Sequence, residues 1–221
     1  METFQIIATP LLLTLKISFI ATLFVAVLGI LIAYILAKRE FPGKWLADVM
    51  VTMPMVLPPT VTGYILVILL GKNGFIGSTF NKITGSGILF TWQAAAIAAF
   101  VVSLPLMVKT TTSAIGAVDK SVEEASRILG RNEMETALFI TLPLAKKGIM
   151  AGCVLSFARA VGEFGATLMV AGNIPGKTNT MAISIYSAYQ SGNNELANLL
   201  VIILVVMSFL TIAATTRLAE R

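Results

Sequence analysis

Five apolar runs, residues 17–37, 50–70, 88–108, 149–171 and 196–216, recur along the chain, separated by short polar segments and by one long polar stretch, residues 109–147. Each run is close to the ~20 residues that a helix needs to cross roughly 30 Å of hydrocarbon. The third and fifth carry no charged residue. None alternates polar and apolar positions as a strand of a transmembrane barrel does, and each is about twice the length such a strand needs. The pattern predicts an all-α polytopic membrane protein of about five transmembrane helices. Several spans are not simple rods. Pro54, Pro58 and Pro59 fall in the second run and Pro105 in the third. Each removes a backbone donor, which is tolerable in lipid only where protein or a wet cavity satisfies the freed carbonyl, so these helices are expected to line something. Residues 71–87 mix turn and apolar residues, and Met181, Ile185 and Tyr189 share one helical face, which suggests a short re-entrant or interfacial helix.

Composition supports this reading. The chain is 57% apolar and 12% charged, where soluble domains are about half and a quarter, and its mean hydropathy is +0.88. The net charge of +5 does not point to nucleic acid, because the basic residues sit beside hydrophobic runs rather than on a polar domain of their own. Their placement instead sets orientation by the positive-inside rule. With the N-terminus outside and the C-terminus inside, the inner segments hold Lys38, Arg39, Lys44, Lys109, Lys120, Arg127, Arg131, Lys146, Lys147, Arg217 and Arg221, and the outer ones only Lys72, Lys82 and Lys177. Lys16, at the outer end of the first span, is expected to snorkel to the interface. Residues 1–10 carry Glu2 and no basic residue, so the first run reads as a retained span and residues 1–221 as a single transmembrane domain in the cell membrane. A lone cysteine, Cys153, and no histidine exclude a disulfide framework, a Cys/His zinc site and a histidine-based triad or proton relay.

The stretch 109–147 is 39 residues, longer than a connector between neighbouring helices needs, and its sequence argues for order. In Ser121-Val122-Glu123-Glu124-Ala125-Ser126-Arg127-Ile128-Leu129-Gly130, Ser121 is placed to cap a helix while Glu124 reaches back, and Gly130 supplies a left-handed stop. Asn132-Glu133-Met134-Glu135 repeats the start signal, and a second helix is expected to run through Phe139 into Ile140-Thr141-Leu142-Pro143. Near the middle of the fourth run, Arg159 and Glu163 are spaced i,i+4. Each isolated charge there costs roughly 2.5–3.5 kcal/mol, so they are expected to pair. The pair either fixes helix rotation at a subunit contact or offers positive potential to a translocating anion, with Gly162 and Gly165 thinning the same helix.

Residues 171–178, Ala-Gly-Asn-Ile-Pro-Gly-Lys-Thr, approach the loosest form of a phosphate-binding loop. The predicted topology puts them outside the cell, where ATP is absent, and no helix pattern starts at Lys177. Nucleotide chemistry is therefore expected on another chain.

Glu124-Ala125-Ser126, Gly130 and then Ile140-Thr141-Leu142-Pro143, at this spacing and in an inward loop, resemble the EAA loop of ABC importer permeases, with Ser126 where that family most often has alanine. Leu57-Pro58-Pro59-Thr60-Val61-Thr62-Gly63-Tyr64, Ser103-Leu104-Pro105, Gly162-Glu163-Phe164-Gly165-Ala166-Thr167 and Asn173-Ile174-Pro175-Gly176 further resemble the molybdate permeases of the sulfate, molybdate and tungstate permease family, over nearly the whole chain. The resemblance implies a type I importer: a homodimer of this chain, cytoplasmic ABC ATPase subunits that bind ATP and Mg, and an extracytoplasmic oxyanion-binding protein. It implies no cofactor and no catalytic or metal site in this chain. Ser121, Glu124, Ala125, Ser126, Gly130, Ile140, Leu142 and Pro143 would couple to the ATPase. Pro58, Pro59, Arg159, Gly162, Glu163 and Gly165 are the candidates for pathway or interface. Without the resemblance, the loop also fits an amphipathic hairpin on the membrane with Ile128 and Leu129 facing lipid, and the charged pair with broken helices also fits an autonomous anion carrier.

Overall fold

The apolar run at the start of the chain continues further toward the N-terminus than its pattern suggests. The computed structural model describes residues 2–220, and its first helix, α1 (Glu2–Lys38), is continuous over 37 residues despite Pro10. Next come α2 (Lys44–Val56), α3 (Pro59–Leu70), α4 (Phe75–Thr84) and α5 (Trp92–Gly116). After these the chain forms α6 (Lys120–Ile128), α7 (Glu133–Thr136), a wide turn (Ala137–Thr141), α8 (Leu142–Leu144) and α9 (Lys146–Val161). The last elements are α10 (Gly165–Ala171), α11 (Met181–Gln190) and α12 (Asn194–Glu220). No strand occurs among the described residues. Three helices are long and apolar enough to cross a membrane, within α1, α5 and α12, or up to five if each bent pair is counted as one span.

Helix α5 is the centre, with 61% of its apolar window buried against 11% for α12, which lies at the periphery. Ala94, Ala95, Ala98 and Ala99 of α5 are completely or almost completely buried. Small side chains let helix backbones approach, which lipid alone does not drive. Farther along α5, a Cβ at Gly29 of α1 would lie 2.6 Å from Met107 Cγ, and one at Gly152 of α9 would lie 2.9 Å from Met107 Sδ. Met107 is thus the knob in a three-helix junction of α1, α5 and α9.

Two predicted spans are broken. The run 50–70 is α2 and α3, bent by 113° between Val56 and Pro59. Leu57 precedes a proline and is held extended at ψ 141°, Pro58 follows at ψ 137°, and Pro59 sits in the first turn of α3, where its missing N–H is harmless. The run 149–171 is α9 and α10, interrupted over residues 162–164. Helix α9 also makes a 72° angle with the segment before it, at Ala145.

The third span overruns its predicted end. Residues 109–116, read from sequence as the start of the polar loop, continue α5. Thr111 and Ile115 are fully buried on the same face as Val108, and Lys109 pairs with Asp48 of α2 at 2.6 Å. The predicted re-entrant helix is α11. Its first N–H, at Met181, is capped from a distant part of the chain by Thr14 Oγ1 at 2.8 Å. Lys16 does not simply extend away: its ammonium lies over the Trp92 ring, 3.9 Å from the centroid.

Candidate functional site

Helix α6 begins one turn-signal earlier than the sequence suggests. Asp119, not Ser121, is the cap: its Oδ1 accepts the Ser121 N–H at 2.9 Å. The Ser121 and Glu124 capping box does not form, because a carboxylate two residues upstream is the stronger acceptor for the same free amides. The bonds from Ser121 hold the Asp119 carboxyl below the usual carboxylate range. At the other end Gly130 adopts φ 90°. Arg131 N–H donates to Ser126 O and Gly130 N–H to Arg127 O, the paired bonds of a Schellman stop. The second start signal forms as a full capping box: Asn132 N–H donates to Glu135 Oε2 and Glu135 N–H to Asn132 Oδ1, both at 2.9 Å. The helix then widens over Ala137–Thr141. Pro143 has no N–H for the Phe139 carbonyl and its ring crowds that oxygen, so a wider turn relieves both problems.

The side chains sort by face. Glu124 and Ala125 are exposed, and Ile128 and Leu129 are each 85% exposed. Ser126, read from sequence as part of the contact surface, is buried and its hydroxyl lies 3.2 Å from Thr136 Oγ1, so it joins α6 to α7 instead. Ile140 is half-buried, Leu142 packs against a small cluster of Ile115, Val118 and Ala145, and Pro143 is exposed.

The residue that sequence reasoning missed is Glu123. It is 4% exposed, accepts from Lys38 Nζ at 2.8 Å through Oε2, and accepts from Thr141 Oγ1 at 2.5 Å through Oε1. Burial pushes its pKa up, but the bonds from Lys38 and Thr141 outweigh this and hold the carboxyl below its ordinary value. The available signal was spacing: Glu123 and Ser126 are three apart and share the inward face of a short helix. A second ion pair, Arg39 to Glu133 at 2.8 Å, is about half exposed on both sides.

The two broken spans meet each other. A Cβ on Gly165 would lie 2.7 Å from Pro59 Cβ, and one on Gly63 would lie 2.7 Å from Met169 Cβ, so α3 and α10 touch nearly backbone to backbone. Gly162 does not thin its helix, since a Cβ there would meet only Ala158 O at 3.8 Å; it ends α9. Arg159 and Glu163 pair at 2.9 Å, and Glu163 does more than pair. Lying in the break, it accepts the Ala166 N–H at 2.8 Å and so starts α10. Its side chain is 2% exposed against 34% for Arg159, so the carboxylate is the enclosed partner of the pair. Pro58 and Pro59 are exposed. Phe164, also in the break, packs against Tyr186 of α11 in a tilted ring contact with centroids 5.1 Å apart.

The segment with a phosphate-loop pattern is closed on itself. Thr178 is fully buried, its hydroxyl accepts the Ile174 N–H at 2.9 Å, and Asn179 Oδ1 accepts the Gly176 N–H at 3.0 Å. The amides a phosphate would use are occupied.

Comparison with known proteins fits this architecture. Residues 26–221 match the family described as the binding-protein-dependent transport system inner membrane component. The chain is 41% identical over 202 residues to the putative molybdenum transport system permease protein YvgM of Bacillus subtilis (strain 168), covering 91% of this chain and 89% of that one. It is 44% identical over 184 residues to the molybdenum transport system permease protein ModB of Escherichia coli (strain K12), covering 83% and 80%. Among solved structures, an inward-facing MetNI methionine ABC transporter aligns with TM-score 0.76 at 19% identity, over 99% of this chain and 97% of that one. A bacterial ABC transporter that imports alginate aligns with TM-score 0.79 at 15% identity, over 97% and 79%. These two likenesses speak to the fold alone.

Proposed function

Since the chain belongs to the binding-protein-dependent transport system inner membrane components, we propose that it is the permease subunit of an ATP-driven importer that moves molybdate, or the similar tungstate, into the cytoplasm. The permease itself is not catalytic; ATP and Mg are bound on a separate ATPase subunit, on which α6 docks. The observation that carries the reading is the division of α6. Glu124, Ala125, Ile128 and Leu129 project outward from a helix whose opposite face is tied into the bundle, in a chain 41% identical to a molybdenum permease.

In this reading the N-terminus lies outside and the C-terminus inside, which the distribution of Lys and Arg supports. Residues 1–221 act as one transmembrane domain, and two copies form a homodimer. Substrate delivery falls to an extracytoplasmic oxyanion-binding protein, which carries most of the selectivity. The pathway runs past the breaks at Pro58, Pro59 and residues 162–164, where helix ends rather than helix walls face the opening. Arg159 supplies a partly neutralised positive charge there. A hydrated dianion needs only such a transient route, because tight binding in a pathway slows release. Alternating access then amounts to the ATPase moving α6 and the spans following.

Vesicles holding this chain, its ATPase and its binding protein test the proposal. ATP-dependent uptake of molybdate, competed by tungstate and less by sulfate, is the expected result. Uptake that proceeds equally well without the ATPase contradicts it and favours an autonomous carrier.

A further inference from the structure

On the proposed reading that α6 docks on an ATPase, it must hand its displacement to the membrane helices. Its covalent links are poor for this. Residues 117–119 and 129–132 are short turns, the second containing the left-handed Gly130. Across the helix from the docking face, however, Glu123 is buried against the end of α1, 85 residues away in sequence, and both of its oxygens are engaged. Helix α1 is the longest in the protein and packs along both α5 and α9. Tyr34 and Ala37 of its last turns also pack against the cluster of Ile115, Val118 and Ala145, joining α1 to α5 and α9 at the same level.

We propose that Lys38, Glu123 and Thr141 form a clasp that makes α6, the end of α1 and the α7–α8 segment one rigid unit, so that ATPase motion enters the membrane domain through α1. Glu123 is a positioning residue. Glu124, one position on and exposed, faces the ATPase, while Glu123 faces the spans, and the two adjacent carboxylates serve opposite sides of the same helix. A buried carboxylate–ammonium pair is weak evidence for stability but fixes one geometry, because any slip leaves a charge desolvated and unpaired. The exposed Arg39–Glu133 pair joins the same two parts of the chain without that penalty, so it holds them only weakly. It is the built-in control.

The test uses the complete assembly in vesicles, reading ATP hydrolysis and substrate uptake together. Lys38→Ala and Glu123→Ala are expected to keep hydrolysis while uptake per ATP falls roughly tenfold, within the 5–150-fold span of ordinary coupling energies. Arg39→Ala and Glu133→Ala leave the ratio unchanged. The exchange Lys38→Glu with Glu123→Lys restores much of it. Unchanged uptake per ATP in both single variants, or an equal loss in the Arg39 control, overturns the clasp. Should the single variants fail to assemble, spin labels on Ile35→Cys and on Lys120→Cys, the exposed first residue of α6, in a Cys153→Ser chain that keeps the pair intact, give a second reading. Their separation stays within about 2 Å through the ATP cycle if the unit is rigid, and a larger change overturns it. Absence of ATP-driven uptake by the unaltered assembly is a different result: it removes the docking reading, and the clasp with it.

Discussion

Glu163 and Arg159 show how much a single residue's surroundings decide. The i,i+4 spacing made the pair legible in the sequence, yet not its asymmetry. Glu163 is almost wholly buried and also starts α10, whereas Arg159 is about a third exposed. Arg159→Met strands a buried carboxylate, while Glu163→Gln keeps an acceptor for the Ala166 N–H and leaves unpaired only the more exposed partner. Arg159→Met is therefore expected to lower thermal stability in detergent more than Glu163→Gln. The loss lies at or below the ~3–5 kcal/mol typical of breaking a buried pair. An equal or reversed order counts against the assigned geometry. Glu123 supplies a pH test. Its folded pKa lies below the unfolded value, so its contribution is complete above the ordinary glutamate range, near pH ~4.3, and is lost as pH falls through the folded value. The clasp is thus intact at neutral pH. Glu123→Gln is expected to flatten that acidic part of the stability-against-pH curve and leave its slope near pH 7 unchanged. What hid Glu123 in the sequence is that two adjacent glutamates on a polar helix look equivalent until it is known which face is covered. The same ambiguity placed the cap on Ser121 rather than Asp119.

At the scale of elements, the strong periodic signals held and the junctions did not. The stop at Gly130 and the capping box at Asn132 formed as their residue types require, because both are local chemistry. Asn132→Ala removes one half of the box and is expected to cost about 1 kcal/mol, read as loss of amide protection at the start of α7. The extension of α5 past Lys109 was not legible, since a Lys-Thr-Thr-Thr-Ser stretch has little helix preference; burial of Thr111 and Ile115 against neighbouring helices overrides it. The breaks were half legible. Prolines announced the first, but nothing local announces that α9 ends at Gly162 and that Glu163 then starts the next helix. Gly165→Val drives a side chain into Pro59 and is expected to destabilise by about 1–3 kcal/mol or to separate α3 from α10. Normal stability with Val at this position contradicts the close approach.

For the whole molecule, composition and the apolar runs were enough for an all-α membrane protein of about five spans, and family membership agrees with that. The order of packing was not legible. Neither α5 nor α12 has a marked polar face, so periodicity does not say which is central; the hints are the small residues of α5 and its lower mean hydropathy, 1.7 against 2.7 for α12. Helix α6 ties these scales together: its outer face is exposed and its inner face is bonded to the bundle through Glu123. The most direct test places a photo-activated cross-linking residue at single positions of the intact assembly. Ala125 and Leu129 are expected to label the ATPase subunit, and the buried Ser126, one residue from Ala125, is not. Labelling from Ser126 as strong as from Ala125, or none from Ala125 and Leu129, contradicts the account.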